Sequence, residues 1–463
     1  PLSLLGGTLF VDAGTSIQLS NDIYLFKDAD TGGTLNRTIR FAGTSGSQLV
    51  LGTSATASSG FSVSTNSLIQ LISSYANAQS GSFSSTVNLD VTIPVELQGS
   101  LEQQTASIYD AAQWVSVSLV KKGLSTLTLS GATPTNPFSG DFFVDQGTLA
   151  LGSPTALPGE MRLTVRTGAV LDLGGQNSNS LSSGDYLKSD LILSGSGSGS
   201  GALVNTGGVS QTGSYYNGAI ILLADSTIGA DYPIILAGSL SSANKKLTKL
   251  GSEKLILSGD SPFFSGAIDV SQGILQIGPG SDAFNLSSGY IGGGTITLGT
   301  SATLKLALLV GALSSGYGAD GTGVFSNIIQ GQGNTGTLGD DGGVYIESGS
   351  FTLTGANTYT GSTIIGSLGT LTLGSDKALG NTASLTLNAG AVLDLNGRNV
   401  NAGSINIKAA DDLTVTTQLL NNSSTGQSST VASETILLSG SLYLGGTAPL
   451  NISGNLLAGE NVG

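Results

Sequence analysis

The chain has 463 residues, 70 of them Gly, a formal net charge of −14, and neither Cys nor His. Without His or Cys, Ser-His-Asp and Cys-His catalysis and imidazole or thiolate metal sites are excluded, and the acidic balance argues against nucleic acid or an anionic membrane as partner. Only 10% of residues are charged while 39% are hydrophobic, too much apolar content for a disordered Gly/Ser chain, so a core can be buried.

No apolar run reaches about 18 residues, so no membrane-spanning helix is expected. The absence of Cys fits an extracellular bacterial protein. The sequence opens on Pro1 without a signal peptide, and the expectation is a processed or truncated N-terminus.

In chain order, residues 1–60 read as short strands: G-G-T-L-F-V-D from Gly6, G-T-S-I-Q-L from Gly14, I-Y-L-F from Ile23, I-R-F from Ile39 and L-V-L-G from Leu49. Between them, D-A-D-T-G-G at 28–33 resembles a calcium loop, with alternate carboxylates on Asp28 and Asp30 before a Gly turn. It lacks a downstream bidentate Glu, and the other reading is a plain hairpin or corner. Residues 61–118 are less regular. S-L-I-Q-L-I-S-S-Y from Ser67 suits a strand or a short helix. T-V-N-L-D-V-T-I-P-V-E-L from Thr86 alternates well, with Pro94 at an edge or corner. Glu102 to Trp114 is the one stretch that allows a helical turn, with Trp114 and Tyr109 read as an apolar lid rather than an exposed ligand platform.

A compound signature then recurs. Leu119 to Gly131 is L-V-K-K-G-L-S-T-L-T-L-S-G, Leu247 to Gly259 is L-T-K-L-G-S-E-K-L-I-L-S-G, and Val344 to Gly355 is V-Y-I-E-S-G-S-F-T-L-T-G. Each is followed by an aromatic step, at Phe138, Phe264 and Tyr359, two residues before a Gly. Gly147 to Gly175 aligns without a gap on Gly369 to Gly397, and both end in G-A-V-L-D-L before the final two residues. Around Gly273, S-Q-G-I-L-Q-I-G is a partial third copy, followed by G-T-S-A-T-L-K-L at Gly299 to Leu306 in place of G-A-V-L-D-L. The period-two Leu and Val of these runs mark half-buried strands, and the Gly and Asn-Gly punctuation supplies positive-φ corners. No run buries a face alone. Stacked, they form one continuous core. Elsewhere S-G-S-G-S-G-S-G at 194–201 reads as a flexible loop or wide corner, and the apolar run from Leu304 as core strand.

This pattern resembles the passenger-associated repeat of bacterial autotransporters, over 119–175, 247–300 and 344–408. The resemblance implies a secreted or surface protein whose body is a right-handed parallel β-helix. The third copy departs from it, with Glu347 near the place of the Lys. The family's membrane barrel has no counterpart in the closing A-G-E-N-V-G, so the chain is read as a passenger piece, a released passenger or a relative exported by another route. The expected fold is all-β, a single elongated right-handed β-solenoid over 1–463 with protruding loops. Rungs of about 20–25 residues give on the order of 20 rungs, and roughly 90–100 Å of length at about 4.8 Å per strand.

Little catalytic equipment is visible. The adjacent acids Asp340-Asp341 and Asp411-Asp412 lie by Gly- or Ala-rich turns and read as solvated turn acids rather than a glycan-cleaving pair. Asp172 and Asp394, repeated in A-V-L-D-L, read as structural outward residues. Lys121, Lys122 and Lys249 are expected to pair with acids on adjacent rungs, each exposed pair worth about 0–1 kcal/mol. Phe138, Phe264 and Tyr359 are expected in the core. The functional expectation is a non-enzymatic adhesin- or stalk-like surface protein with no cofactor besides the calcium option. Its partner would be another surface, a glycan or a sister copy. The alternatives are a self-assembling filament or sheath subunit, joined through solenoid ends or lateral contacts, and a glycan-active enzyme.

Overall fold

The computed structural model describes residues 2–4, 7–12, 14, 16–19, 23–27, 35–51, 68–73, 83–105, 115–131, 138, 140–157, 161–176, 190–207, 213–280, 290–308, 322–336, 343–408 and 416–458. Among them every regular element is a β-strand. The chain divides into two compact units, Pro1–Tyr232 and Pro233–Gly463, and in both the strands pair in parallel. The fold is an all-β parallel β-helix.

In the first unit one face runs from Leu35–Gly43 through Phe83–Val91, Val115–Lys122, Asp141–Val144 and Arg162–Val165 to Asp190–Gly195. A second face stacks Ser16–Leu19, Gln48–Leu51, Val95–Leu97, Leu127–Leu129, Thr148–Leu151, Val170–Asp172 and Leu203–Asn205. A smaller parallel sheet holds Leu2–Leu4, Ile23–Lys27, Leu68–Ser73 and Ser100–Thr105. The second face shows why the period-two runs fold this way. Leu127, Leu149, Leu171 and Leu203 are register partners in turn, and none has exposed surface. Each such Leu contributes about 1.5–3 kcal/mol of burial, available only once the next rung covers it.

The second unit repeats the plan. Ile268–Ile277 lies on Leu247–Leu250 and Lys254–Leu257, and Thr295–Ala307 lies on Ile268–Ile277. Val344–Leu353 supports Thr363–Leu373, which supports Ser384–Leu387 and Val392–Asp394. Beyond these come Val400–Lys408 and Thr417–Asn421, then Ser429–Ser439 and Leu442–Gly446. Phe351, Leu371, Leu393 and Leu419 form a second buried column.

Corners need glycine for two reasons at once. Gly123 has φ +75, and a Cβ there would sit 2.3 Å from the Val91 carbonyl oxygen. The left-handed backbone and the close approach of the rung below each exclude other residues. Three expectations are refined. Leu68–Ser73 is strand, and Glu102 to Thr105 is strand rather than helical turn, whereas Tyr109 and Trp114 lie outside the described residues. The Ser-Gly run is no loose loop: Asp190–Gly195 is strand, and Gly197 pairs with Gly201 across a tight corner. The apolar run from Leu304 is strand as far as Ala307.

Candidate functional site

The Lys of the opening motif does not sit outside. Lys121 and Lys249 are wholly buried, a correction to the expected exposed ion pairs. Each side chain points inward from the end of its strand, so its methylene stem joins the core and its ammonium reaches the corner. Lys121 Nζ donates to the carbonyls of Lys122, Gly123 and Gln146 at 3.3, 2.7 and 2.8 Å. Lys249 Nζ donates to those of Leu250, Gly251 and Gln272 at 3.2, 2.6 and 3.0 Å. Three donors thus satisfy three carbonyls that the turn would otherwise bury unpaired, and the third carbonyl belongs to the next rung. Burial pushes the Lys121 ammonium down to about 8, against the pull of Asp90. The K-x-G spacing has a mechanical meaning: the Lys locks the Gly corner to the Gln-Gly step at 146–147 or 272–273.

In the third copy Ser348 is buried near this place and its Oγ donates to the Leu308 carbonyl at 2.8 Å. The Glu347 carboxylate is largely covered, and its Oε1 lies 2.5 Å from Nζ of the almost fully buried Lys305. Register places Lys305 between Gln276 and Tyr345 on adjacent rungs.

The recurring Asp is structural, as the repetition implies. Asp172 Oδ1 accepts from the Gly174 and Thr206 amides at 2.9 and 3.0 Å, and Oδ2 accepts from the Thr206 hydroxyl. Asp394 Oδ1 accepts from the Asn396 and Asn422 amides, both at 3.0 Å, and Oδ2 from Asn422 Nδ2 at 3.1 Å. Beside each, a buried Asn of the next rung accepts a corner Gly amide at 2.8 Å: Gly175 to Asn205 Oδ1, Gly397 to Asn421 Oδ1. These Asn were not singled out by sequence reading. The Asn-Thr and Asn-Asn pairs that close L-V-N-T and L-L-N-N, one rung after each A-V-L-D-L, were the available signal. Phe138, Phe264 and Tyr359 are all buried.

Among the described residues of the first unit, one flank carries a charged column. In register, Arg40 faces Asp90 and Asp90 faces Lys122. Lys121 pairs with Val144 and Val165 with Leu193, so the next residues bring Lys122 to Asp145 and Arg166 to Ser194. Arg40 and Asp90 approach to 3.4 Å, Arg166 and Asp145 to 3.0 Å. The Arg166 guanidinium lies 4.8 Å from the centre of the Phe143 ring, within cation–π range. An open groove of about 740 Å³ runs over this flank, lined by Lys122, Asp145, Gln146, Thr164, Arg166 and Leu223 among others. Sequence reading missed the column, because its members are 20 to 50 residues apart and only the register aligns them.

Asp28 and Asp30, and the pairs Asp340-Asp341 and Asp411-Asp412, lie outside the described residues. Among the described residues no three Asp, Glu, His or Cys side chains are grouped to hold a metal, and no helix is long and apolar enough to cross a membrane.

Three segments, 119–151, 247–277 and 347–373, match the family model described as the passenger-associated-transport-repeat. No curated protein and no solved structure matches the chain. The first two matches begin two residues before the buried Lys and end on the Leu or Ile that closes the following rung; the third begins on Glu347. Such repeats imply a secreted or cell-surface protein of Gram-negative bacteria. A parallel β-helix with three segments matching that repeat, two of them with the corner locked by the signature Lys, is a chain carrying the passenger repeats of bacterial autotransporters.

Proposed function

We propose that this protein is a non-enzymatic surface passenger, adhesin- or stalk-like, held at the outer face of the cell and mediating attachment or cell–cell contact without a cofactor. One observation carries the reading: the polar residues of the repeat are consumed by the scaffold. Lys121, Lys249, Asp172 and Asp394 each spend their donors or acceptors on corner backbone and next-rung groups. A catalytic acid or base must be free to exchange a proton with a substrate, whereas these side chains are tied into the corners. The rungs hold side chains at fixed spacing on a stiff wall, which suits contact with another surface.

The test is display on intact cells. A protein tagged within the repeat body is expected to be reached by antibody and by added protease without lysis, and its deletion to reduce attachment. Signal only after lysis would overturn the surface assignment. Filaments of the purified protein would move the reading to a self-assembling structural subunit, and cleavage of a polysaccharide by it would overturn the non-enzymatic assignment.

A further inference from the structure

The charged column on the first unit has an open end. Its members alternate in sign from rung to rung: Arg40, Asp90, Lys122, Asp145, Arg166. Each interior member has opposite charges above and below, the arrangement that cross-strand pairing favours. After Arg166 the alternation stops. The next residue is Ser194, which is buried, and there the register breaks, leaving Leu223, 65% exposed, beside Leu222, the partner of Leu193. Arg166 therefore has a carboxylate on one side only. One guanidinium nitrogen meets Asp145, the side chain remains 54% exposed, and the Phe143 ring beneath holds the planar group in place. A guanidinium presents five donors, so most of its hydrogen-bonding capacity is unspent among the described residues. The groove lies over this open end.

We propose that the groove binds a linear acidic polysaccharide, with a uronate carboxylate taking the missing place beside Arg166. The proposal deepens the surface-protein reading above and rests on it. Charge favours an anion, since two cations flank the single Asp145. The walls favour a sugar over an acidic peptide. Gln146, Thr164 and Thr167 offer an amide and hydroxyls, the groups that bracket sugar hydroxyls. The strands beneath are paired on both edges, as Asp141–Val144 and Arg162–Val165 show, so no free backbone edge is available for a peptide to add as a strand. Rungs repeat at about 4.8 Å, close to the advance of one sugar unit along an extended chain, so successive units meet successive rungs.

The experiment is titration of the purified full chain with polygalacturonate at low ionic strength. Dextran serves as the neutral control and poly-glutamate as the peptide control. Two variants remove the site in opposite ways: Arg166→Gln takes away the cation, and Ser194→Asp supplies the missing carboxylate from the protein itself. Polygalacturonate is expected to bind, more weakly as salt rises, and each variant to lose about tenfold or more in affinity, roughly 1.4 kcal/mol. Leu368→Ser, an exposed position of the second unit, is expected to bind as the parent does. No binding by the parent, binding by either variant as tight as the parent's, or equal binding of dextran or poly-glutamate would overturn the proposal. Because Ser194→Asp keeps a paired column, its folded yield and melting profile separate loss of the site from loss of the fold. Failure here with normal display on cells removes the glycan site alone; binding without display removes the surface reading alone.

Discussion

The Tyr359 hydroxyl lies 2.7 Å from Thr363 Oγ1, inside the core, at the step where the other two copies carry Phe138 and Phe264. Four residues after those Phe come Phe142 and Ile268, both apolar. The hydroxyl and its partner thus arrive together. Thr363 Oγ1 lies 2.9 Å from Thr382 Oγ1, whose hydroxyl is within 2.9 Å of the Gly361 and Ser384 carbonyls. Burial raises the Tyr359 hydroxyl pKa far above its ordinary value, so it acts only as a neutral hydrogen-bonding group.

This linkage predicts an asymmetry between two single changes. Tyr359→Phe leaves Thr363 bonded to Thr382 and is expected to lower stability by about 1 kcal/mol. Thr363→Val leaves the Tyr hydroxyl buried without its partner and is expected to lower it by about 2–3 kcal/mol. Combining the two should recover part of that loss. Urea unfolding of the three variants checks the order, and equal losses from both single changes would count against the hydroxyl chain.

Lys121→Met and Lys249→Met keep the stem and remove the ammonium, stranding three carbonyls apiece. Each is expected to destabilise by at least about 2 kcal/mol. Lys122→Met, whose neighbour in sequence does the locking, should change stability by no more than about 1 kcal/mol. Denaturation midpoints that rank Lys122→Met with the other two would contradict the corner assignment.

The same Lys121 carries a pH signature. Its pKa is lowered to about 8 from 10.5 by burial. Between those values the unfolded chain still binds a proton that the folded chain has released. Stability therefore rises with pH across that window, the penalty for holding a buried ammonium being fully present below about 8. The difference in melting temperature between wild type and Lys121→Met is expected to widen from pH 8 to pH 10.5. A difference that narrows would mean that the carbonyl cage raises the pKa instead.

Asp394→Ala removes the acceptor of two corner amides and of the Asn422 side chain. The expected loss is about 1–3 kcal/mol. More specific is its location: hydrogen exchange should accelerate at the amides of Asn396 and Asn422, with Asp172→Ala doing the same at Gly174 and Thr206. Uniform acceleration across the unit would instead indicate global loosening.

Core and surface leucines of one repeat should separate cleanly. Leu149→Ala, in a fully buried column, is expected to cost 2–5 kcal/mol by leaving a cavity between two rungs, roughly the range for large-to-small core changes. Leu124→Ala, at a position 83% exposed, is expected within about 0.5 kcal/mol of the parent. Thermal unfolding of the pair measures both.

Much of the wall was legible because its rules are local. Period two at Leu127 and Leu129, or at Leu371 and Leu373, depends on residues two apart, and the structure buries all four. The repeated Asp172 and Asp394 could be assigned to structure because a ligand site would not recur with the same neighbours. Lys121 and Lys249 were misplaced for a physical reason. Hydropathy assigns a Lys to solvent, and only the corner geometry shows three carbonyls that nothing else would satisfy. The charged column was invisible for another. Arg40, Asp90, Lys122, Asp145 and Arg166 have no common spacing along the chain, so their alternation exists only once the register is known.

The leucine column of the first unit has a consequence for how such a chain changes over time. Leu127, Leu149 and Leu171 follow one another at intervals of 22 residues, yet the next partner of Leu171 is Leu203. Ten additional residues are accommodated between two layers without altering which side chains meet. An insertion of this length between two rungs thus leaves the stacked partners unchanged. Selection can therefore change the length of the chain between two rungs while the wall itself inherits unchanged instructions.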